Sequence, residues 1–220
     1  NSFGRQRYGS PRCAELLRAV GETGIERIRF TSSHPKDLSP ETILAMAETP
    51  AVMPQLHLAV QSGSTRVLKA MNRHYSREDY LALADQIKSA MPGIALSTDI
   101  IVGFPGETEE DFEQTLSLVK EVGFESAFTF IYSKRPGTPA AEIDDPTPRE
   151  VIQERFDRLA ELVAQQAFDA NQVELGRTVE VLVEGISKRD GDVLVGHSPK
   201  NKTVHFRAPE GIEPDSLIGK

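Results

Sequence analysis

The sequence predicts an α/β protein: a parallel sheet with helices packed outside it, followed by a small antiparallel β module. Three observations predict this. Helix patterns and short apolar strand patterns alternate through residues 1–132 with brief links, as βα units with right-handed crossovers do. Four apolar runs each end in clustered polar residues, which a parallel sheet presents on one face. After Gly176 the helical period gives way to short β patterns split by Gly, Asp and Lys turns. The first part fits either a doubly wound sheet or part of a TIM-like barrel. Four strands cannot close a barrel, so such a barrel would be open.

The elements follow in order. Ser10 as N-cap and Pro11 at the first helical position predict a helix with Cys13, Leu16, Leu17 and Val20 on its apolar side. Ile25, Ile28 and Phe30 alternate with polar residues, a strand over 25–30 broken by Thr31-Ser32-Ser33-His34-Pro35. Ser39 and Pro40 open a second helix through Ile43, Leu44 and Ala47. A strand over 56–60 ends at Gln61-Ser62-Gly63-Ser64. Two helical pieces follow, the longer starting at a capping box of Ser76 and Asp79. A strand over 95–102 runs into Gly103-Phe104-Pro105-Gly106-Glu107, the most informative loop of the chain. The next helix is capped at Thr108 and carries Phe112, Leu116 and Val119 on one face. A fourth strand over 126–132 ends in Ser133-Lys134-Arg135-Pro136-Gly137-Thr138-Pro139. A proline-rich connector leads to a further capping box, Thr147 with Glu150, and a long helix with Ile152, Phe156, Leu159 and Val163 as its apolar stripe. Short β patterns over 178–183, 193–195 and 203–206 complete the chain, with no obvious closing strand before Lys220. The expected units are 1–145, a connecting helix over 146–175, and the β module over 176–220.

Composition narrows the function classes. The 220 residues carry a formal charge of −8 and one cysteine. No apolar run approaches membrane-spanning length and no signal peptide opens the chain, so no membrane is expected and the expected setting is cytoplasmic. Cys13 alone forms no internal disulfide and suits a reducing compartment. It also excludes an iron–sulfur or zinc site built only from cysteines of this chain. The ends are basic and the middle acidic: residues 1–36 hold seven Lys and Arg against three acids, residues 37–175 eleven against twenty-three. A nucleic acid would meet the ends; an ordinary mixed surface is the other reading of the same distribution.

The residues that can carry chemistry sit past the strands. Ser33 and its hydroxyl neighbours suit ribose, carboxylate or phosphate oxygens, or equally a turn that satisfies its own backbone. Gln61 can donate and accept toward a sugar or base edge, and simple helix capping does not require it. Asp99 follows Ser97 inside an apolar strand, so its carboxylate needs a partner, either a ligand or a structural ion pair. Gly103 and Gly106 permit close backbone approach to a flat ligand. Glu107 can meet a ligand or favour the dipole of the following helix. Lys134 and Arg135 can meet an anionic substrate or RNA phosphate, or simply form a solvated charge pair. In the β module Lys188, Arg189, Lys200, Lys202 and Arg207 resemble a nucleic-acid surface. His34 reads as a structural histidine. No metal ligand set and no nucleophile–base pair is visible, so no catalytic residue is assigned.

Taken together, Arg27-Ile28-Arg29-Phe30-Thr31-Ser32-Ser33-His34-Pro35, His57-Leu58-Ala59-Val60-Gln61-Ser62-Gly63-Ser64, Met71-Asn72-Arg73, Asp99 through Glu107, and Arg135-Pro136-Gly137-Thr138-Pro139-Ala140 resemble the radical S-adenosylmethionine methylthiotransferases in ordered motifs. Ala59 stands where that family usually has proline. The resemblance covers essentially the whole chain. It implies an open radical-SAM barrel followed by a small RNA-binding β-barrel domain called TRAM. It implies S-adenosylmethionine and two 4Fe–4S clusters as cofactors in the full-length protein, whose cysteine ligands are absent here, so the segment reads as a fragment inactive by itself. It implies tRNA as partner and a monomer. The activity implied is radical addition of a methylthio group to the adenine of an isopentenylated adenosine beside the anticodon. By strand-end position, Gln61, Ser97 and Asp99 would lie around the cofactor's ribose or methionine part, Ile101 and Gly103 near its adenine, and Ser33 nearby. Relatives acting on a ribosomal protein side chain or on threonylcarbamoyl-adenosine are the alternatives within the class. A noncatalytic RNA-binding module is the alternative outside it.

Overall fold

The computed structural model describes residues 3–30 and 34–220. In chain order it contains α1 (Arg5–Tyr8), α2 (Cys13–Gly21), α3 (Pro40–Glu48), β1 (Gln55–His57), α4 (Thr65–Ala70), α5 (Arg77–Ala90), β2 (Ala95–Val102), α6 (Glu109–Val122), β3 (Ser126–Ile131), α7 (Arg149–Gln172), β4 (Leu182–Ile186), β5 (Val193–His197) and β6 (Thr203–Arg207). β1, β2 and β3 form a parallel sheet in sequential order, and β4, β5 and β6 an antiparallel one. Sequential order is what part of a barrel shows, whereas a doubly wound sheet reverses direction at a switch point. Neither sheet closes among the described residues.

The helices form where caps and periodicity coincide. Ser76 and Thr108 each make a complete capping box, with Asp79 and Asp111 as reciprocal partners. Ser39 caps α3 through the Thr42 N–H. Buried Tyr80 and Ile87 of α5 and Phe112, Leu118 and Val119 of α6 pack in one core with Leu56, Leu58, Leu96 and Ile100 from the sheet. Each such side chain contributes about 1.5–3 kcal/mol of burial.

Four local expectations are corrected. The first helix is capped at Arg12, not Ser10, and a short turn, α1, precedes it. Leu44 of α3 faces solvent, and Ile43, Ala45 and Met46 fill the core instead. The strand over 25–30 shrinks to one parallel bridge, Ile28 with Val52. Its flanking arginines reach sideways to the β module: Arg27 donates to the His197 carbonyl at 3.0 Å and Arg29 to the Ser198 carbonyl at 2.5 Å. The box expected at Thr147 does not form: its hydroxyl donates to Asp145 at 2.7 Å, and α7 starts after Pro148 without a side-chain cap.

β1 is also shorter than predicted, and here the cause is visible. The Thr98 hydroxyl donates to the Leu58 carbonyl and accepts from the Val60 N–H, both at 2.9 Å. Tyr80 donates to the Leu58 carbonyl at 2.7 Å and Tyr75 to the Val60 carbonyl at 2.9 Å. The Leu58 N–H still donates to the Ser97 carbonyl at 2.8 Å, but these side chains take the Leu58 and Val60 carbonyls and the Val60 N–H, so the backbone leaves strand geometry without orphaning those groups. Pairing resumes at Gln61, which bridges to Ile100. Gly63 then passes so close to α6 that a Cβ would lie 2.4 Å from the Thr115 Cα.

The β module is tied back to the first sheet by charge. Lys200 meets Glu125 at 3.3 Å and Glu174 at 3.2 Å, and Lys202 meets Glu125 at 2.6 Å. Past β6 the chain returns to the free edge of β4, where the Gly219 N–H donates to the Val183 carbonyl at 2.8 Å and the Val183 N–H to the Lys220 carbonyl at 2.9 Å. Those two bonds occupy the edge without making a strand.

Candidate functional site

The ends of β1, β2 and β3 open onto one cleft of about 980 Å³. Its walls are Gln61 after β1, residues 69–73 at the end of α4, Asp99 and Ile101 of β2, Phe104, Phe130 and Ile131 of β3, and the segment after it including Tyr132 and Arg135. Parallel register explains the convergence. Asp99 lies opposite Phe128 and Ile101 opposite Phe130, so alternate residues of both strands share one face.

Gln61 holds the left-handed conformation, φ 72°, which a non-glycine residue adopts rarely. Two backbone bonds lock it there: its N–H donates to the Asp99 carbonyl at 2.8 Å, and its carbonyl accepts from the Ile101 N–H at 2.9 Å. The serines beside it are structural. Ser64 caps α4 and donates to Asp111 at 2.6 Å, and Ser62 accepts from the Ser64 N–H at 3.2 Å. Asn72 is also left-handed, φ 58°, and turns the chain at the rim.

Asp99 has found a partner that the sequence reading missed. Its Oδ2 lies 3.3 Å from His57 Nε2. The other ring nitrogen, Nδ1, lies 3.1 Å from Ser97 Oγ, which Gln55 Nε2 reaches at 3.4 Å. The ring also approaches Phe128 at 6.0 Å. Ser97 therefore does not line the cleft; it orients His57, which orients Asp99. Asp99 keeps its second oxygen available to the cleft, since about 30% of its side chain is exposed. The only sequence signal for His57 was parity: like Asp99, it is a polar residue in an apolar strand, two residues from the strand's other polar position.

The loop after β2 is held from behind. Gly103, φ 71°, does not line the cleft. A Cβ there would lie 2.6 Å from Ile152 Cγ2, so the close approach this glycine permits is to α7. Glu107 is buried beneath the loop, where it neither faces a ligand nor sits in the first turn of α6. It accepts from the Gly103 N–H at 2.8 Å and lies 3.7 Å from Arg155 of α7. Asp111 is also buried. Burial alone would raise its carboxyl, but hydrogen bonds from Arg66, Ser64 and Thr108 outweigh that and hold it well below the usual carboxylate range.

Burial pushes the Glu107 carboxyl up to about 7, against the opposing pull of the Gly103 N–H and Arg155. A carboxyl that holds its proton more tightly in the folded chain stabilises the fold when protonated. That contribution is complete below the ordinary value of 4.5 and is lost as the pH rises to about 7. At 1.36 kcal/mol per pH unit, wild type should lose about 3 kcal/mol more than Glu107→Gln across this window. Urea unfolding of both proteins at pH 4.5 and pH 8 measures the difference; parallel pH dependences would disprove it.

The remaining candidates divide. Lys134, Arg135, Lys188 and Arg189 are exposed. Lys200 and Lys202 are spent on Glu125 and Glu174, and Arg207 faces Asp190 and Asp192 at 3.6 and 3.9 Å. Ser33 lies outside the described residues. His34 stacks edge-on against Tyr75 at 5.5 Å, and burial together with nearby Arg73 lowers its pKa, in keeping with a structural role.

The cleft suits an adenosyl ligand. Gln61 and Asp99 supply polar groups beside apolar Ile101, Phe104 and Phe130, and the buried Tyr132 hydroxyl has no partner. An iron–sulfur cluster does not fit these residues. It takes several thiolates, Cys13 is the single cysteine, and no group of three His, Cys, Asp or Glu among the described residues could hold a metal. No helix among them is long and apolar enough to cross a membrane.

Residues 4–119 match the radical SAM superfamily. The chain is 52% identical over 223 residues to the tRNA-2-methylthio-N(6)-dimethylallyladenosine synthase of Streptomyces griseus, covering 99% of this chain and 44% of that protein. It is 52% identical over 221 residues to the synthase of the same name from Acetivibrio thermocellus, covering 100% of this chain and 45% of that one. The chain thus spans less than half the length of these relatives. Among solved structures, coproporphyrinogen III oxidase from Escherichia coli, a radical SAM enzyme, superposes with a TM-score of 0.55 at 20% identity, over 71% of this chain and 38% of that one.

Proposed function

The chain belongs to the radical SAM superfamily, and from that premise we propose that it is part of a tRNA methylthiotransferase. The enzyme would add a methylthio group to the adenine of isopentenylated adenosine next to the anticodon. The observation that carries this reading is identity of about half, sustained through the whole chain, to synthases named for that product.

S-adenosylmethionine supplies the radical chemistry and the methyl group when bound. Gln61, Asp99 and Ile101 would hold it. Asp99 accepts hydrogen bonds from ribose hydroxyls, and the His57–Ser97 relay fixes the carboxylate's direction. Gln61, locked in its left-handed turn, presents an amide to the polar part of the ligand. Ile101 and Phe104 give the adenine an apolar bed and exclude water. Ser33, from its place past the first strand segment, adds a hydroxyl. Both clusters of the full-length enzyme are held by residues other than these. Residues 1–145 are the barrel part, 146–175 the connecting helix, and 176–220 a TRAM-like RNA-binding module whose Lys188 and Arg189 meet tRNA. The enzyme works as a cytoplasmic monomer.

The test uses the full-length protein reconstituted anaerobically with iron and sulfide. Incubated with S-adenosylmethionine and tRNA, it should add a methylthio mass to the isopentenylated form and none to unmodified tRNA. No gain with either tRNA would overturn the assignment.

A further inference from the structure

Residues 37–175 carry more than twice as many acids as bases, and four of the eleven bases are held in ion pairs among the described residues. Arg66 is paired with Asp111, and Arg77 with Glu121 at 3.0 Å. On α7, Arg155 and Arg158 are paired with Glu109. Lys69, Arg73 and Arg135 are different. They line the same cleft, and among the described residues none of them makes a side-chain ion pair or hydrogen bond. Lys69 and Arg73 stand on the β1 side, at and just past the end of α4; Arg135 stands on the β3 side. The two outer strands of a three-stranded sheet are about 10 Å apart, so the cations flank the cleft. The one acid in its lining, Asp99, is already engaged by His57. Arg73 is felt locally: its charge helps to depress the His34 pKa. The half-exposed ring of Phe130 lines the same cleft, a surface on which a base can stack.

Resting on the reading above, we propose that Lys69, Arg73 and Arg135 form a phosphate clamp that grips the RNA backbone on both sides of the nucleoside whose base enters the cleft. Unpaired cations on an otherwise acidic body create a local positive field, and a polyanion that binds there releases its condensed counterions. The clamp also assigns a task to the Met71-Asn72-Arg73 turn, whose left-handed Asn72 brings Arg73 back to the rim.

The experiment measures binding of the full-length, reconstituted protein to an isopentenylated anticodon stem-loop across a salt series, with S-adenosylmethionine affinity measured in parallel. For a single-stranded contact the slope of log K against log salt changes by about 0.7 per phosphate. Lys69→Gln/Arg73→Gln/Arg135→Gln should therefore flatten the slope by about 2. The double variant Lys69→Gln/Arg135→Gln, which touches only exposed side chains, should flatten it by about 1.4. Exposed Lys120→Gln, on α6, should leave it unchanged. S-adenosylmethionine affinity should hold in all of them. An unchanged slope overturns the clamp. So does a loss of S-adenosylmethionine affinity with the slope intact, which would make these cations partners of the cofactor's carboxylate. Methylthio transfer by the unsubstituted protein is scored separately. Transfer with unchanged variant slopes removes the clamp and leaves the function standing; absence of transfer removes the function and the clamp with it.

Discussion

Arg155→Ala should destabilise the fold by about 3–5 kcal/mol at pH 8, because it leaves a buried carboxylate without its cation. Arg155 is 5% exposed and Glu107 4%. The guanidinium faces Glu107 Oε2 at 3.7 Å and donates to the Glu107 carbonyl at 3.0 Å and to Glu109 at 2.9 Å. The Glu109 bond lies at the surface and contributes little; the buried pair decides the outcome. Removing the partner forces Glu107 either to stay charged in an apolar setting or to take up a proton. Arg155→Met/Glu107→Gln should recover most of the loss, since replacing both members leaves no uncompensated charge. Chemical denaturation of the three proteins checks this. A double variant no more stable than Arg155→Ala would show that the uncompensated Glu107 charge is not the source of the loss. The effect should reach the cleft, because α7 holds the loop after β2 both through this pair and through Ile152 against Gly103.

Asp99→Ala should weaken S-adenosylmethionine binding to the full-length protein by about 10- to 100-fold. Hydrogen bonds to a charged group contribute about 1.5–3 kcal/mol, and each 1.4 kcal/mol is a factor of ten. His57→Gln should have a smaller effect in the same direction, because its amide can still reach Asp99 but without the ring's second contact to Ser97. Equilibrium dialysis with labelled S-adenosylmethionine measures both. Unchanged affinity in Asp99→Ala would make the His57–Asp99 pair a purely structural ion pair, the other role open to a carboxylate in an apolar strand.

What was legible from the chain was local. The capping boxes at Ser76 and Thr108 join residues three apart, and the apolar run of β2 stands between unmistakable turns. The alternation of helix and strand was enough to predict parallel pairing and to direct the strand ends toward one face. From that, Gln61, Asp99 and Ile101 could be named as neighbours before any coordinate placed them around one cleft. Thr147 shows the boundary of such reasoning. It had the sequence of a cap, yet its hydroxyl turns back to Asp145 two residues earlier and α7 begins only after Pro148.

The rest depended on contacts between residues far apart in the chain. His57 meets Ser97 and Asp99 only through the register of β1 on β2, across about forty residues. Thr98, Tyr75 and Tyr80 ended β1 early by taking the Leu58 and Val60 carbonyls and the Val60 N–H. Lys200 and Lys202 read as a nucleic-acid surface in sequence, yet they bind the β module to Glu125 and Glu174. Composition and periodicity thus determined which elements this chain makes and which way its strands run, because caps and amphipathic faces act within a few residues. Which charges remain free, which glycines are filled by a neighbour and which carboxylate is buried were decided only by tertiary packing, because an ion pair or a close approach depends on distance in space and not on separation along the chain.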